Sequence, residues 1–348
     1  MLLDSCRIGR YRVGEILMIE VPWTESWGIS YRITFGTRET VKQVVPSYIV
    51  APKYSSPEDN QVLIPSDALV KHNLDDPRGF QMEFESNQMA TSSGSDSEDT
   101  TITLYNLSEE EVRVLSQPNC VFLVEAGFQG KVVLCYTGDV VRYDTDVYPP
   151  DTSYRISLSA AGTAIKDTMV NTIYDESMSE KDVIIDMVGR FSGLSIGTYG
   201  LESESNYYRT GGRGFTGDLI TNLDRQMAKR SLQYSVIMGK VAIIPYRWKA
   251  EDLSKFSKTN YTIPAESIKN ISEVKDNAGQ SSDEVNNNLK TIQVNTLFLP
   301  VEIGQFITIP NSDYTKKFRG TYVVEGRRFI LETTGGWDVV LQAKEVPL

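Results

Sequence analysis

Thr101-Ile102-Thr103-Leu104-Tyr105-Asn106-Leu107-Ser108 is the stretch that decides how the chain is read. Its first five residues alternate with a period of two, which marks a half-buried strand. The alternation stops at Asn106-Leu107. Ser108, with Glu111 three residues on, then makes the capping-box pattern that opens a helix, and acidic residues fill its positive N-terminal end. Upstream, Phe80-Gln81-Met82-Glu83-Phe84 alternates strictly, with its apolar side chains on one face. Residues 90–100 between these strands are a Ser/Gly/Asp/Glu tract too polar to bury, and a mobile loop is expected there. Downstream, residues 121–127 and 132–136 read as strands flanking a turn at 127–130. Val140-Val141-Arg142-Tyr143 and Tyr154-Arg155-Ile156-Ser157-Leu158 read as a further pair across an Asp/Pro-rich loop. Residues 75–168 are therefore expected to form a mostly antiparallel β domain with one small helix.

Beyond this block the period changes from two to 3.6. Ser179 is expected to cap a helix whose Ile184, Met187, Val188 and Phe191 share a face, with Gly193 as its stop. Thr216 is expected to cap another, with Leu219, Ile220, Leu223 and Met227 in register and Lys229 and Arg230 at the favourable C-terminal end. Residues 234–238 and 241–244 read as a hairpin joined by Gly239-Lys240, with glycine first as in a type II′ turn. Residues 169–248 thus read as a small α/β module. Residues 249–290 read as irregular at first, with a flexible polar loop at 276–288. Strands return at 289–298, 305–309, 322–324, 328–331 and 337–341, a meander closing a small barrel or sandwich. The first 74 residues read as a β-rich accessory region, with strands at 16–19 and 29–35.

The composition bounds the chemistry. The 348 residues suffice for two or three domains, and 23% charged with 40% hydrophobic residues is ordinary for a globular protein. A net charge of −11 argues against a protein that grips nucleic acid through its phosphates. The three cysteines show no CxxC pair or framework, so reduced thiols and a cytoplasmic setting are expected. The first residues lack a charged segment followed by an apolar one, so no signal peptide is expected. No apolar run approaches the roughly 18–20 residues of a membrane helix, so no membrane binding is expected. The single histidine, His72, has no evident ligand or nucleophile beside it and reads as a surface or loop residue.

Two motifs match by letter only. Gly212-Arg213-Gly214-Phe215-Thr216-Gly217 fits GxGxxG, but the residues before it are polar and no carboxylate follows at about twenty residues, so a glycine-rich loop entering a helix is expected. Gly193-Leu194-Ser195-Ile196-Gly197 fits GxSxG, but a helix precedes it and the only histidine lies far upstream, so a helix-ending glycine turn is expected. Asp96, Glu98 and Asp99 read as a solvated charge-rich loop rather than a cation site. No catalytic, cofactor-binding or metal-ligating residue is assigned. The residues themselves lead to a β-dominated α+β scaffold of several domains.

Three ordered segments resemble the baseplate hub proteins of contractile-tailed bacteriophages, relatives of the hub part of type VI secretion spike proteins. The first runs from Phe80-Gln81-Met82-Glu83-Phe84-Glu85 through the Tyr105-Asn106-Leu107-Ser108 junction to Ala126-Gly127-Phe128-Gln129-Gly130. The second is the helix at 216–230 with the hairpin around Gly239. The third joins Asn295-Thr296-Leu297-Phe298-Leu299-Pro300, Gly304-Gln305-Phe306-Ile307-Thr308-Ile309, Gly320-Thr321-Tyr322-Val323-Val324 and Gly336-Trp337. The resemblance implies two tube-like antiparallel β-barrel or sandwich domains, 75–168 and 249–348, flanking the module at 169–248, with an N-terminal extension over 1–74. It implies a non-enzymatic homotrimer whose six β domains form a pseudo-sixfold ring, with exposed strand edges as its joints. Such a ring, assembled in the host cytoplasm into the virion tail, would join the tail tube protein to the central spike protein. Other baseplate proteins and the tape measure protein would be neighbours, and DNA would pass through an acidic lumen. Tyr105, Phe298 and Trp337 are the interface candidates, each equally suited to a core. The N-terminal 74 residues and the long acidic loop at 91–100 fall outside the family pattern. The alternatives are another tail-tube-end or secretion-spike-base structural protein, and a tail-associated cell-wall-degrading enzyme.

Overall fold

The computed structural model describes residues 21, 23–38, 67–74, 79–91, 98–160, 168–191, 194–197, 212–237, 239–246, 260–274 and 289–346. The first part of the chain contains β1 (Ile29–Thr37), β2 (Leu69–His72), β3 (Met82–Met89), β4 (Glu98–Tyr105), α1 (Glu109–Leu115), β5 (Cys120–Phe128), β6 (Lys131–Tyr148) and β7 (Asp151–Ser159). The middle contains β8 (Met169–Tyr174), α2 (Glu180–Gly189), β9 (Ser195–Gly197), β10 (Arg213–Asp218), α3 (Leu219–Lys229), β11 (Leu232–Ile237) and β12 (Lys240–Pro245). The last part contains β13 (Asn260–Thr262), β14 (Ile268–Val274), β15 (Thr291–Leu297), β16 (Phe306–Ile309), β17 (Gly320–Glu332) and β18 (Trp337–Glu345). The fold is β-dominated α+β, as the sequence leads one to expect.

One large sheet runs β14-β15-β18-β17-β3-β4-β7-β6-β5-β1-β2, with β16 beside β17 and β13 beside β16. Within it a five-strand pattern occurs twice. The strands β3 to β7 and β14 to β18 both lie side by side in the order first, second, fifth, fourth, third. In each copy the fourth strand is long and shifts register midway, between Val140 and Arg142 in β6 and between Val324 and Gly326 in β17. Before that bulge it pairs with the third strand, and beyond it the third strand has left. The bulge bends the strand and so redirects its second half. The two copies meet where β17 runs antiparallel to β3, from Gly326 opposite Met89 to Glu332 opposite Glu83.

The local chemistry explains most elements. Ser108 accepts from the Glu111 amide while the Glu111 carboxylate accepts from the Ser108 amide, and Ser179 and Asp182 repeat the arrangement at α2. Gln129 and Gly130, at φ +57° and +73°, make the two-residue turn between β5 and β6. Gly127 itself lies in β5, where any Cβ would run into the Lys131 carbonyl and the Trp23 ring.

Several expectations need correction. The α3 cap is Asp218, whose carboxylate accepts from the Thr221 amide at 3.0 Å. Thr216 is instead paired with Asn171 across β10 and β8. The GxGxxG stretch is therefore a strand rather than a loop, because Arg213 to Asp218 finds a ladder partner in β8 before the helix begins. Ser195 likewise opens the short strand β9, parallel to β12. Ile237 pairs with Lys240, so Gly239 (φ +74°) stands second in the hairpin turn and not first. The pieces 132–136 and 140–143 form one strand, because Thr137-Gly138-Asp139 between them stay paired with β5. The pieces 322–324 and 328–331 form another, since the bulge at Glu325 interrupts alternation without ending pairing. The reading of 249–290 missed β14. Its apolar Ile268, Ile271 and Val274 recur every three residues, and a register shift between Ile268 and Asn270 hides the period of two. Strand β4 already begins at Glu98, inside the stretch expected to be loop. The expected strand at 16–19, Gly193, Asp96 and the loop at 276–288 lie outside the described residues.

Two strands of the N-terminal region join the sheet, with β1 pairing along the whole of β5. The Arg32–Glu125 ion pair, buried on the Glu125 side, locks that register. Asn73 adds to it by accepting from the Tyr31 amide and donating to the Ile29 carbonyl, both at 2.8 Å. His72 is an exposed strand residue opposite Arg32.

Candidate assembly surface

The joint between β3 and β17 is built around a charge inside the sheet. On the core face of β3, Phe84 is followed at the same spacing by Ser86 and Gln88, both buried. Arg327 of β17 is 2% exposed and meets Gln88, whose Oε1 accepts from Nε at 3.0 Å and from Nη2 at 2.8 Å. Its guanidinium also donates to the Val301 carbonyl at 3.3 Å and the Cys135 carbonyl at 3.4 Å, and lies 4.8 Å from the centre of the Phe329 ring. Gln88 in turn donates to the Val236 carbonyl at 3.3 Å, and Thr91 and Tyr234 exchange two backbone hydrogen bonds. Both five-strand patterns and the hairpin of β11 and β12 thus converge on one polar node.

Burial governs the titrating groups there. The Glu302 carboxyl is pushed up to about 7 by desolvation, against the pull of Arg327 and Lys240. Burial likewise raises Glu325, at the bulge of β17, against the pull of Lys344. The Cys120 thiol is pushed up to about 12 and Cys135 higher still, both chiefly by burial, so neither is a ready nucleophile. Among the described residues no cluster of three or more His, Cys, Asp or Glu is placed to hold a metal ion. Among them, too, no helix is long and apolar enough to cross a membrane.

The interface candidates part company. Phe298 is fully buried between the rings of Trp23 and Phe329. Trp337 is 4% exposed and packs against Tyr31. Both fill this chain's own core: Trp337 opens β18, and Phe298, just past β15, is held there by its amide, which donates to the Trp337 carbonyl at 2.9 Å. Tyr105 is half-buried on the open face of the sheet and donates to Glu83 at 2.8 Å, a bond that with desolvation pushes its hydroxyl up to about 12. That open face is polar, and around Glu83, Glu85, Asp99 and Glu332 its carboxylates outnumber cations such as Arg155 and Arg328. The sequence reading ended this strand at Tyr143 and missed its last five residues, where Val147 and Tyr148 are 65% and 72% exposed. Apolar residues continuing past an Asp-rich stretch were the available signal.

No family model matches the sequence, and no curated protein matches it. Solved structures do match in shape. The E. coli c3393 protein, a component of the type VI secretion system with structural similarity to T4 bacteriophage tail proteins gp27 and gp5, superposes with a TM-score of 0.51 at 10% identity. That match covers 77% of this chain and 74% of the other. This chain shares its fold with that protein. The 43 kDa tail protein of prophage MuSo2 from Shewanella oneidensis gives a TM-score of 0.51 at 8% identity, over 80% of this chain and 94% of that one. A chain of the Francisella PdpA-VgrG complex gives 0.52 at 8% identity; the match takes in 91% of this chain but only 58% of that longer one. At such identities the tail-protein likeness is one of fold.

Proposed function

We propose that the chain is a structural component of a contractile phage tail, the baseplate hub, acting by assembly and not by catalysis. Residues 75–168 and 249–348 are its two tube-like domains, and 169–248 is the module set between them. Three copies form a ring that joins the tail tube to the central spike, with DNA passing through it, and the chain resides in the virion tail among other baseplate proteins. The doubled five-strand pattern carries this reading, since three chains supply six like units around one axis. The tail-protein fold supports it. The carboxylate-rich open face suits a lumen that does not hold DNA, because like charges repel phosphates.

Light scattering after size exclusion tests the ring. A species of three times the chain mass is expected, seen as a six-lobed ring by electron microscopy. A chain that stays monomeric at every concentration, or that cleaves peptidoglycan, would overturn the reading.

A further inference from the structure

We propose that the second half of β6 in one copy of the chain pairs antiparallel with β14 of the next copy, with Val147 opposite Ile271. The inference rests on the ring reading above and goes beyond it by naming the two strands and their register.

The argument comes from the repeated pattern. Past its bulge, the fourth strand of each copy loses the third strand as neighbour, and that edge opens. In β17 the vacated edge is taken by β3, the first strand of the other copy, and the Glu325 carbonyl at the bulge accepts from the Ala90 amide at 2.8 Å. In β6 nothing among the described residues takes the corresponding edge beyond Asp139. The first strand of the second copy, β14, is paired only with β15 among the described residues. Both halves of a second joint like that of β3 and β17 are therefore present, and within one chain they stay apart.

The register follows residue by residue. Just past the bulges, Arg142 lies opposite Ser157 as Gly326 lies opposite Gln342, so Val147 holds the place of Leu331. On the other side, Ile102 lies between Ile156 and Phe84 as Val294 lies between Leu341 and Ile271, so Ile271 holds the place of Phe84. Within the chain Leu331 is opposite Phe84. Between chains the same joint sets Val147 opposite Ile271, Thr145 opposite Glu273 and Tyr148 opposite Asn270.

Burial agrees with an unfilled joint. Leu331 and Phe84 are 0% and 1% exposed, whereas Val147 is 65% exposed and Ile271 half-buried. An edge that is open, extended and partly apolar invites another strand. The partner that this edge fits is a second copy, because this chain's own β3 and β17 already show the matching surfaces. Such a joint uses different patches on the two copies, so it repeats head to tail and closes when the rotation per unit divides the circle.

The test is a double variant, Val147→Cys with Ile271→Cys, oxidised at ring-forming concentration and run without reductant. Covalent dimers and trimers that collapse on reduction are expected. They should be absent from either single variant and at least tenfold weaker in the shifted pair Val147→Cys with Glu273→Cys. As a second readout, Val147→Lys should abolish the trimer, and adding Ile271→Glu to the same chain should restore it. A wild-type trimer that neither cross-links at this pair nor shows the rescue would overturn the joint and leave the ring standing. A wild-type chain that remains monomeric would overturn the ring and the joint together.

Discussion

Residues 325–332 of β17 and 141–148 of β6 occupy the same place in two copies of one strand pattern, past the same bulge and beside the same hairpin neighbour. In β17 the core-face residues Arg327, Phe329 and Leu331 are all buried, whereas their counterparts in β6 run from half-buried Tyr143 to exposed Thr145 and Val147. Neither stretch differs from the other in backbone pattern. The difference is a neighbour, since β17 has β3 along its second edge and β6 has none among the described residues. Burial here reports what a strand is paired with as much as what its sequence prefers, which is why strand propensity depends so strongly on context.

The largest test of that comparison is Arg327→Ala. Removal would leave Gln88 without its donor and the buried Glu302 without the stronger of its two cations, and breaking a buried charged network typically costs about 3–5 kcal/mol. Tyr143→Ala, at the counterpart position, should cost about 1 kcal/mol or less, since Tyr143 is only half-buried and its hydroxyl bonds Ser116 at the surface. Urea unfolding of the two variants checks the contrast, and near-equal costs would break it. Next comes Leu331→Ala, expected to cost about 2–5 kcal/mol through a cavity in the core. Val147→Ala should leave the stability of the monomer within about 0.5 kcal/mol. Its effect should appear in association instead.

Glu302 gives a pH signature to the occupied joint. Its carboxyl is raised to about 7 in the fold, above its value in the unfolded chain, so the folded state holds the proton more tightly. The resulting stabilisation is fully present below about pH 4.5, falls away as pH rises through about 7, and amounts to about 3 kcal/mol at most. Glu302→Gln should flatten that part of the curve. Chemical unfolding from pH 4.5 to 8 measures it, and a wild-type curve parallel to the variant's would remove Glu302 from the account.

The local elements of the occupied joint were legible in the sequence, but the joint was not. Alternation at 101–105, the caps at Ser108 and Ser179, and the hairpin after α3 depend on residues a few positions apart, and simple periodicity reveals them. The pairing of β3 with β17 brings Gln88 to Arg327 across 239 residues, and nothing local in either strand announces it. Sequence alternation on β3 even argues against the outcome, because Ser86 and Gln88 look like surface residues until Thr100 and Arg327 supply their hydrogen bonds. Phe298 and Trp337 went the other way. Aromatic residues serve cores and interfaces alike, so residue type alone could not separate them from Tyr105.

The smallest expected effect lies on the open face of the joint. Arg328 of β17 reaches diagonally across the seam to Glu85 of β3, with Nη2 and Oε1 2.6 Å apart. Both side chains are about half exposed, so the pair should contribute no more than about 0.2–1 kcal/mol, and less in high salt. A double-mutant cycle of Arg328→Ala and Glu85→Ala at two ionic strengths measures it. The counterparts in the proposed joint between chains are Asp144 and Ser272, which carry only one charge between them. Ser272→Arg should therefore supply the missing ion pair with reversed polarity. The association constant should rise at most about fivefold at low salt, and the gain should fade as salt is added. Asp144→Asn in the same chain should erase the gain. If Ser272→Arg strengthened the ring equally with or without Asp144, the two residues would not face each other across a joint shaped like that of β3 and β17.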